Sequence, residues 1–120
     1  MLSLPPAVRI FVARGATDMR KSFDTLSAVV RDVLRQDPLS GHVFLFLNRR
    51  RDRLKILYWD RAGFVLIYKR LEVGTFRHPD SGEIGSRELG LVLEGIDEST
   101  VRERPWYTGP KTLASTPPVS

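Results

Sequence analysis

The stretch from Gly41 to Phe76, GHVFLFLNRRRDRLKILYWDRAGFVLIYKRLEVGTF, constrains the fold more than any other part of the chain. Val43 to Leu47 is apolar at every position, the pattern of a central strand covered on both faces. Leu54 to Trp59 alternates: Leu54, Ile56 and Tyr58 share one face, Lys55, Leu57 and Trp59 the other. Phe64 to Leu71 reads as a third strand, and Gly74 punctuates its end. A charged turn, Asn48 to Arg53, joins the first two strands. Asp60-Arg61-Ala62-Gly63 joins the last two, with Gly63 expected to supply a positive φ. Three strands joined by tight turns predict an antiparallel meander.

The remainder supplies elements to cover that sheet. Ala7 to Ala13 is rich in β-branched residues and predicts a strand, with Val8, Ile10 and Val12 on one face and Arg9 and Phe11 on the other. Gly15 lies in a turn where it is free to take a positive φ. Thr17 or Asp18 is placed to cap a helical turn through Lys21. Ser22 to Gln36 carries Phe23, Leu26, Val30, Val33 and Leu34 at steps of three and four, which predicts a helix with one apolar stripe. Asp37-Pro38 is expected to end it, because the residue before proline avoids the α region. Residues 75–85 read as a loop. Ser86 is a candidate N-cap for a short helix, Arg87 to Glu94, with Gly95 as its stop. The fold expected is α+β: about four strands in a mainly antiparallel sheet, one long helix packed on it and a short C-terminal helix. Either orientation of the first strand is compatible with the sequence. The domain is expected to span residues 1–97, with 98–120 a Pro/Ser/Thr-rich mobile tail that Trp106-Tyr107 would anchor.

Charge is concentrated in the three-strand block. The whole chain carries +5, and residues 41–79 hold nine bases against three acids, so this segment is +6 and the rest is −1. Clustered positive charge favours a polyanionic partner through steering and counterion release. Arg49, Arg50, Arg51 and Arg53 crowd the first turn, with Lys55 just inside the next strand. Guanidinium groups grip phosphate bidentately and stay charged at any working pH. A solvated turn, or a strand edge guarded by charge, is the plainer alternative. If five residues touch phosphates, log K falls against log salt with a slope of about −4.5. Trp59 shares a face with Arg53 and Lys55 and is either a base-stacking platform or a core residue under lysine stems. Arg20 and Lys21 are either a second phosphate contact or a capping cluster with Asp18. Lys69 and Arg70 point to opposite faces, so only one of them extends the patch; Lys69 is carried as the candidate.

Other chemistries find less support. With no cysteine, there is no disulfide, thiolate zinc site or cysteine nucleophile. His42 and His78 lack ligand-like spacing. Asp18, Asp52, Asp60 and Glu72 are the residues a metal nuclease would need, but each has a basic neighbour within two residues, as surface ion pairs do. The His78-Pro79-Asp80 triplet sits in a glycine-containing loop and reads as a turn. No phosphate-binding glycine motif and no serine nucleophile motif is present. Catalytic residues, metal and cofactor are therefore all expected to be none. No apolar run reaches the length of about 18 residues that spans a membrane, and MLSLPPAVRIF lacks a signal peptide's charged start and apolar core, so a cytoplasmic protein is expected.

Two ordered sets of residues carry a family resemblance. One is Thr17-Asp18-Met19-Arg20-Lys21-Ser22-Phe23-Asp24-Thr25-Leu26; the other is the run from Phe46 to Asp60 containing NRRRDRLKILYWD. Gly63-Phe64, Tyr68 to Glu72, Phe76, Pro79 and Leu93 to Asp97 continue it. On these residues the chain resembles the small TnpB-type accessory protein encoded by the second open reading frame of insertion-sequence sixty-six elements in bacteria. The family pattern has an aromatic, usually Trp, where His78 stands, and Gly where Ser22 stands. The resemblance implies a role assisting transposition, the strand-transfer chemistry belonging to a separate, larger transposase. The expectation is a non-enzymatic accessory factor that binds DNA, at the element ends, through the basic turn. The alternative is a protein-interaction module bridging the transposase through an apolar outer sheet face and Trp106-Tyr107.

Overall fold

A computed structural model describes residues 7–79 and 81–96. Seven elements follow in order: β1 (Ile10–Val12), α1 (Phe23–Asp32), β2 (Val43–Leu47), β3 (Arg53–Trp59), β4 (Phe64–Arg70), β5 (Glu83–Ile84) and α2 (Ser86–Glu94). The five strands form one sheet in the order β4-β3-β2-β1-β5. The meander is as expected: β2 pairs antiparallel with β3, and β3 with β4, in unbroken register from Arg53 opposite Arg70 to Trp59 opposite Phe64. β1 lies parallel to β2, with Ile10 opposite Val43. A parallel neighbour needs a crossover, and α1 supplies it. β5 is an addition to the expected four strands; it pairs antiparallel with the other side of β1.

Period-two alternation divides the core between two faces. Ile10, Val12, Val43, Leu45, Leu47, Leu54 and Ile56 pack with Phe76, Ile84 and the α2 residues Leu89, Val92 and Leu93. Phe11, Ala13, Phe44, Phe46 and Leu57 pack with Leu26 and Val30 of α1. The helices therefore cover opposite faces, and β2 is buried at every residue because it is sandwiched between them. Burying a Phe side chain such as Phe44 or Phe46 stabilises by about 2–3 kcal/mol.

The helix differs from the sequence expectation at its end. Ser22 is the N-cap, and Thr25 Oγ1 accepts its N–H at 2.8 Å. At the other end, the Leu34 and Gln36 N–H groups fold back onto the Val29 and Val30 carbonyls (both 3.0 Å), and Arg35 turns left-handed at φ 57°. This stop comes ahead of Asp37-Pro38. It turns Val33 outward to 69% exposure, and Phe23 is 43% exposed, so the stripe is narrower than its sequence pattern.

Three turn expectations are also corrected. Gly15 and Gly63 do not take a positive φ; Arg61 does, at 84°. The Asp60 carboxylate accepts the N–H groups of Ala62 and Gly63 (3.2 and 3.1 Å) and closes that turn itself. The short helix begins one residue early, at Ser86, with Gly85 as its N-cap.

Candidate nucleic-acid interface

Asn48 builds the basic turn. Its Oδ1 accepts the N–H groups of Asp52 and Arg53 (3.1 and 3.0 Å), and its Nδ2 donates to Asp52 Oδ1 at 2.7 Å. The Arg51 N–H donates to the Asn48 carbonyl at 3.1 Å, and Arg51 takes a left-handed φ of 60°. From behind, the Leu71 N–H donates to the Asp52 carbonyl (2.8 Å) and the Phe76 N–H to the Arg51 carbonyl (2.6 Å). The turn is therefore tied at two points to the connection between β4 and β5, and Arg49, Arg50 and Arg51 stand out from it exposed.

The turn has two unlike sides. On one side lie Thr17, Asp18, Met19, Asn48, Arg49, Arg50, Asp52 and Arg53, so two acids face the arginines. Asp18 is held by Arg20, which donates its N–H (2.9 Å), Nε (3.0 Å) and Nη2 (2.7 Å) to the carboxylate. Those bonds pull the Asp18 carboxyl down to about 2. The Asn48 side-chain bond, with the Asp52 N–H and the fields of Arg50 and Arg53, holds Asp52 below the usual carboxylate range. On the other side, Arg14, Gly15 and Ala16 after β1, Asn48, Arg49 and Arg51 after β2, and His78 line an open recess of about 220 Å³, with no acid among the described residues of its lining. A larger hollow of about 460 Å³ beside it is lined by Arg51, Thr75, Phe76, Arg77 and His78 among others, again without an acid among the described residues.

The sequence candidates separate on this geometry. Arg49, Arg50 and Arg51 stay together at the surface. Arg53 is half-buried, and its Nη1 donates to Tyr68 Oη at 3.1 Å. Lys55 is only 6% exposed, and its Nζ donates to the Met19 and Lys21 carbonyls (2.7 and 2.6 Å) while lying 4.6 Å above the Tyr68 ring. It clamps the loop before α1 to the sheet and is not part of the surface cluster. Lys69 Nζ donates to the Leu93 carbonyl at 2.7 Å, closing the end of α2 on the face away from Lys55. Trp59 packs edge-to-face on Phe64 at 5.1 Å, at the opposite end of β3 from Arg53. Six residues of strand put that end about 20 Å away. Arg20 is highly exposed but committed to Asp18, and Lys21 is half-buried.

Arg14, Arg77 and His78 were missed. Their sequence signal is faint, since each is a single residue in a loop and only the pairing of β1 between β2 and β5 brings those loops to the basic turn. Arg70, opposite Arg53, shares its face but is bound by Glu72 at 2.9 Å. Among the described residues, no three of His, Asp and Glu gather as a metal site would require, and no helix is long and apolar enough to cross a membrane.

Residues 8–103 match the profile of a family described as IS66 Orf2 like protein. Two uncharacterized proteins of Sinorhizobium fredii are similar along most of their length. One, y4jC, is 34% identical over 109 residues, covering 88% of this chain and 93% of its own. The other, y4hO, is 38% identical over 101 residues, covering 81% and 88%. No solved structure matches the chain.

Proposed function

The chain belongs to the IS66 Orf2 like family, and from that premise we propose that it assists insertion-sequence transposition as a non-enzymatic factor that holds DNA at the basic end of its sheet. The family implies the accessory role. The DNA contact rests on one observation: Arg14, Arg49, Arg51 and Arg77, from three separate loops, converge around hollows that no described acid lines. Arg50 extends the same surface across the tip of the turn. Five arginines on phosphates give a salt slope of about −4.5. Lys55, Lys69 and Trp59 are left out of this surface for the reasons of placement given above.

The test is a salt series on duplex DNA carrying the element ends and on random duplex. Arg49→Ala with Arg51→Ala is expected to shallow the slope to about −2.7. Undiminished binding and an unchanged slope in that double variant would remove the reading.

One observation favours a protein partner as the second reading. Helices pack on both faces of the sheet, so among the described residues no fully open apolar face is left for that role. In its place β4 is an edge strand paired on one side only, with half-exposed Val65, Leu66 and Ile67. Trp106-Tyr107 lies outside the described residues. Co-purification with the element's transposase after nuclease treatment, lost on Leu66→Lys, would support this reading.

A further inference from the structure

We infer that the recess between β1, β2 and His78 is a site for a terminal phosphomonoester, the phosphorylated end of a DNA strand. This rests on the DNA-binding reading and narrows it from any phosphate to one kind.

Topology creates the recess. β1 and β2 run parallel and β5 runs antiparallel to β1, so the loops that leave β1 and β2 and the segment that enters β5 meet at one end of the sheet. Arg14 and Gly15 line it from the β1 side, Asn48, Arg49 and Arg51 from the β2 side, and His78 from the segment that leads to β5.

The lining selects a compact, highly charged anion. Three arginines line a volume of about 220 Å³ without a described acid among them. Each presents a planar fork that matches two phosphate oxygens. A phosphomonoester carries about −1.5 to −2 at neutral pH, whereas a backbone diester carries one charge. The recess is an open concavity bordered by three chain segments. It suits a group joined to its strand through one oxygen better than a diester that must continue on both sides.

His78 adds a directional partner. Its Nδ1 lies 2.8 Å from the Pro79 carbonyl. A carbonyl only accepts, so Nδ1 carries the proton and Nε2 is the nitrogen left to meet a ligand. Nε2 can accept from a protonated phosphate oxygen or, in the imidazolium, donate to a deprotonated one. Pro79 is buried, which holds the ring in place. Gly15 has nothing within 4 Å of the position a Cβ would occupy, so a carboxylate can be introduced there without a clash.

The experiment is competition binding with the full chain and one short DNA strand in four forms: 5′-phosphorylated, 3′-phosphorylated, hydroxyl at both ends, and ligated into an endless circle. A mononucleotide is the fifth competitor. A phosphorylated end is expected to bind about tenfold more tightly than the hydroxyl or circular form, equivalent to about 1.4 kcal/mol. Gly15→Asp and Arg51→Gln are each expected to abolish that ratio, with thermal melting confirming that both fold. Equal binding of all four wild-type forms would overturn the end-recognition inference while leaving the DNA-binding reading intact. A mononucleotide that competes as well as the phosphorylated strand would reassign the recess to a small phosphomonoester and overturn the strand-end assignment. Failure of every DNA form to bind would remove both.

Discussion

Lys55 gives the sharpest test of how the loop before α1 is held. Lys55→Met keeps the apolar stem and deletes the ammonium. Two charge-assisted hydrogen bonds, to the Met19 and Lys21 carbonyls, are lost, together with the contact over Tyr68. Taking about 1.5 kcal/mol for each bond, the low end because loop carbonyls regain water, the loss is about 3 kcal/mol. The contact with the ring adds about 0.5–1 kcal/mol. Against this, a buried ammonium no longer has to be desolvated, which returns on the order of 1 kcal/mol or more. The net expectation is destabilisation by about 2–3 kcal/mol. Urea unfolding should show it as a lower midpoint at unchanged slope, and thermal unfolding as a fall of about 10–20 °C. The salt slope of DNA binding should be unchanged, since the ammonium is inside. The reasoning fails if Lys55→Met unfolds within about 0.5 kcal/mol of the parent, the scatter of ordinary surface substitutions. It fails equally if the variant keeps its stability and instead loses one phosphate's worth of salt dependence, about 0.9 in slope.

Two further perturbations test separate parts of the structure. Asp18 is depressed to about 2 by Arg20, so its contribution is fully present above the unfolded carboxylate value of about 3.9 and is lost as pH falls through the folded one. Melting temperatures of the parent and Asp18→Asn, compared from pH 5 to pH 2, should therefore converge at the acid end; a constant offset would contradict the ion pair. Gly95 has φ 77° and ψ 168°, and a Cβ there would sit 2.8 Å from Leu71 Cδ1 and 3.5 Å from the Thr75 carbonyl oxygen. Backbone strain alone costs about 1–3 kcal/mol in that glycine region, so Gly95→Ala should destabilise by at least that amount, read in urea unfolding as a lower midpoint at unchanged slope.

Much of the sheet is legible from local pattern. The two-sided apolar run of β2 and the alternation of β3 follow from side-chain period alone, and their facing partners follow from the tight turns. The helical stripe of α1 also places Leu26 and Val30 correctly. What escapes is whatever depends on distant pairing. β5 is two residues long with one buried side chain, Ile84, and exists because β1 offers it an edge more than seventy positions earlier. Lys55 looks like a surface base because its two acceptors are backbone carbonyls, which no side-chain pattern reveals. Trp59 shares a face with Arg53 as alternation says, but strand length separates them.

The charge tally illustrates how far composition reaches toward a site. Counting assigns the +6 of residues 41–79 to one surface, yet the fold breaks that number into unequal parts. Lys55 is internal, Lys69 closes a helix, Arg70 answers Glu72, and Arg53 bonds Tyr68. Asp18 and Asp52 then face the same side of the turn as Arg50 and Arg53. Positive potential is thereby weakened toward α1, whereas toward His78 no described acid opposes it and Arg14 and Arg77 add charge from outside the turn. A partner steered by this field approaches the carboxyl ends of β1 and β2 rather than the tip of the hairpin alone. Arg14→Ala should therefore weaken DNA binding as much as Arg50→Ala does, although only Arg50 belongs to the arginine run.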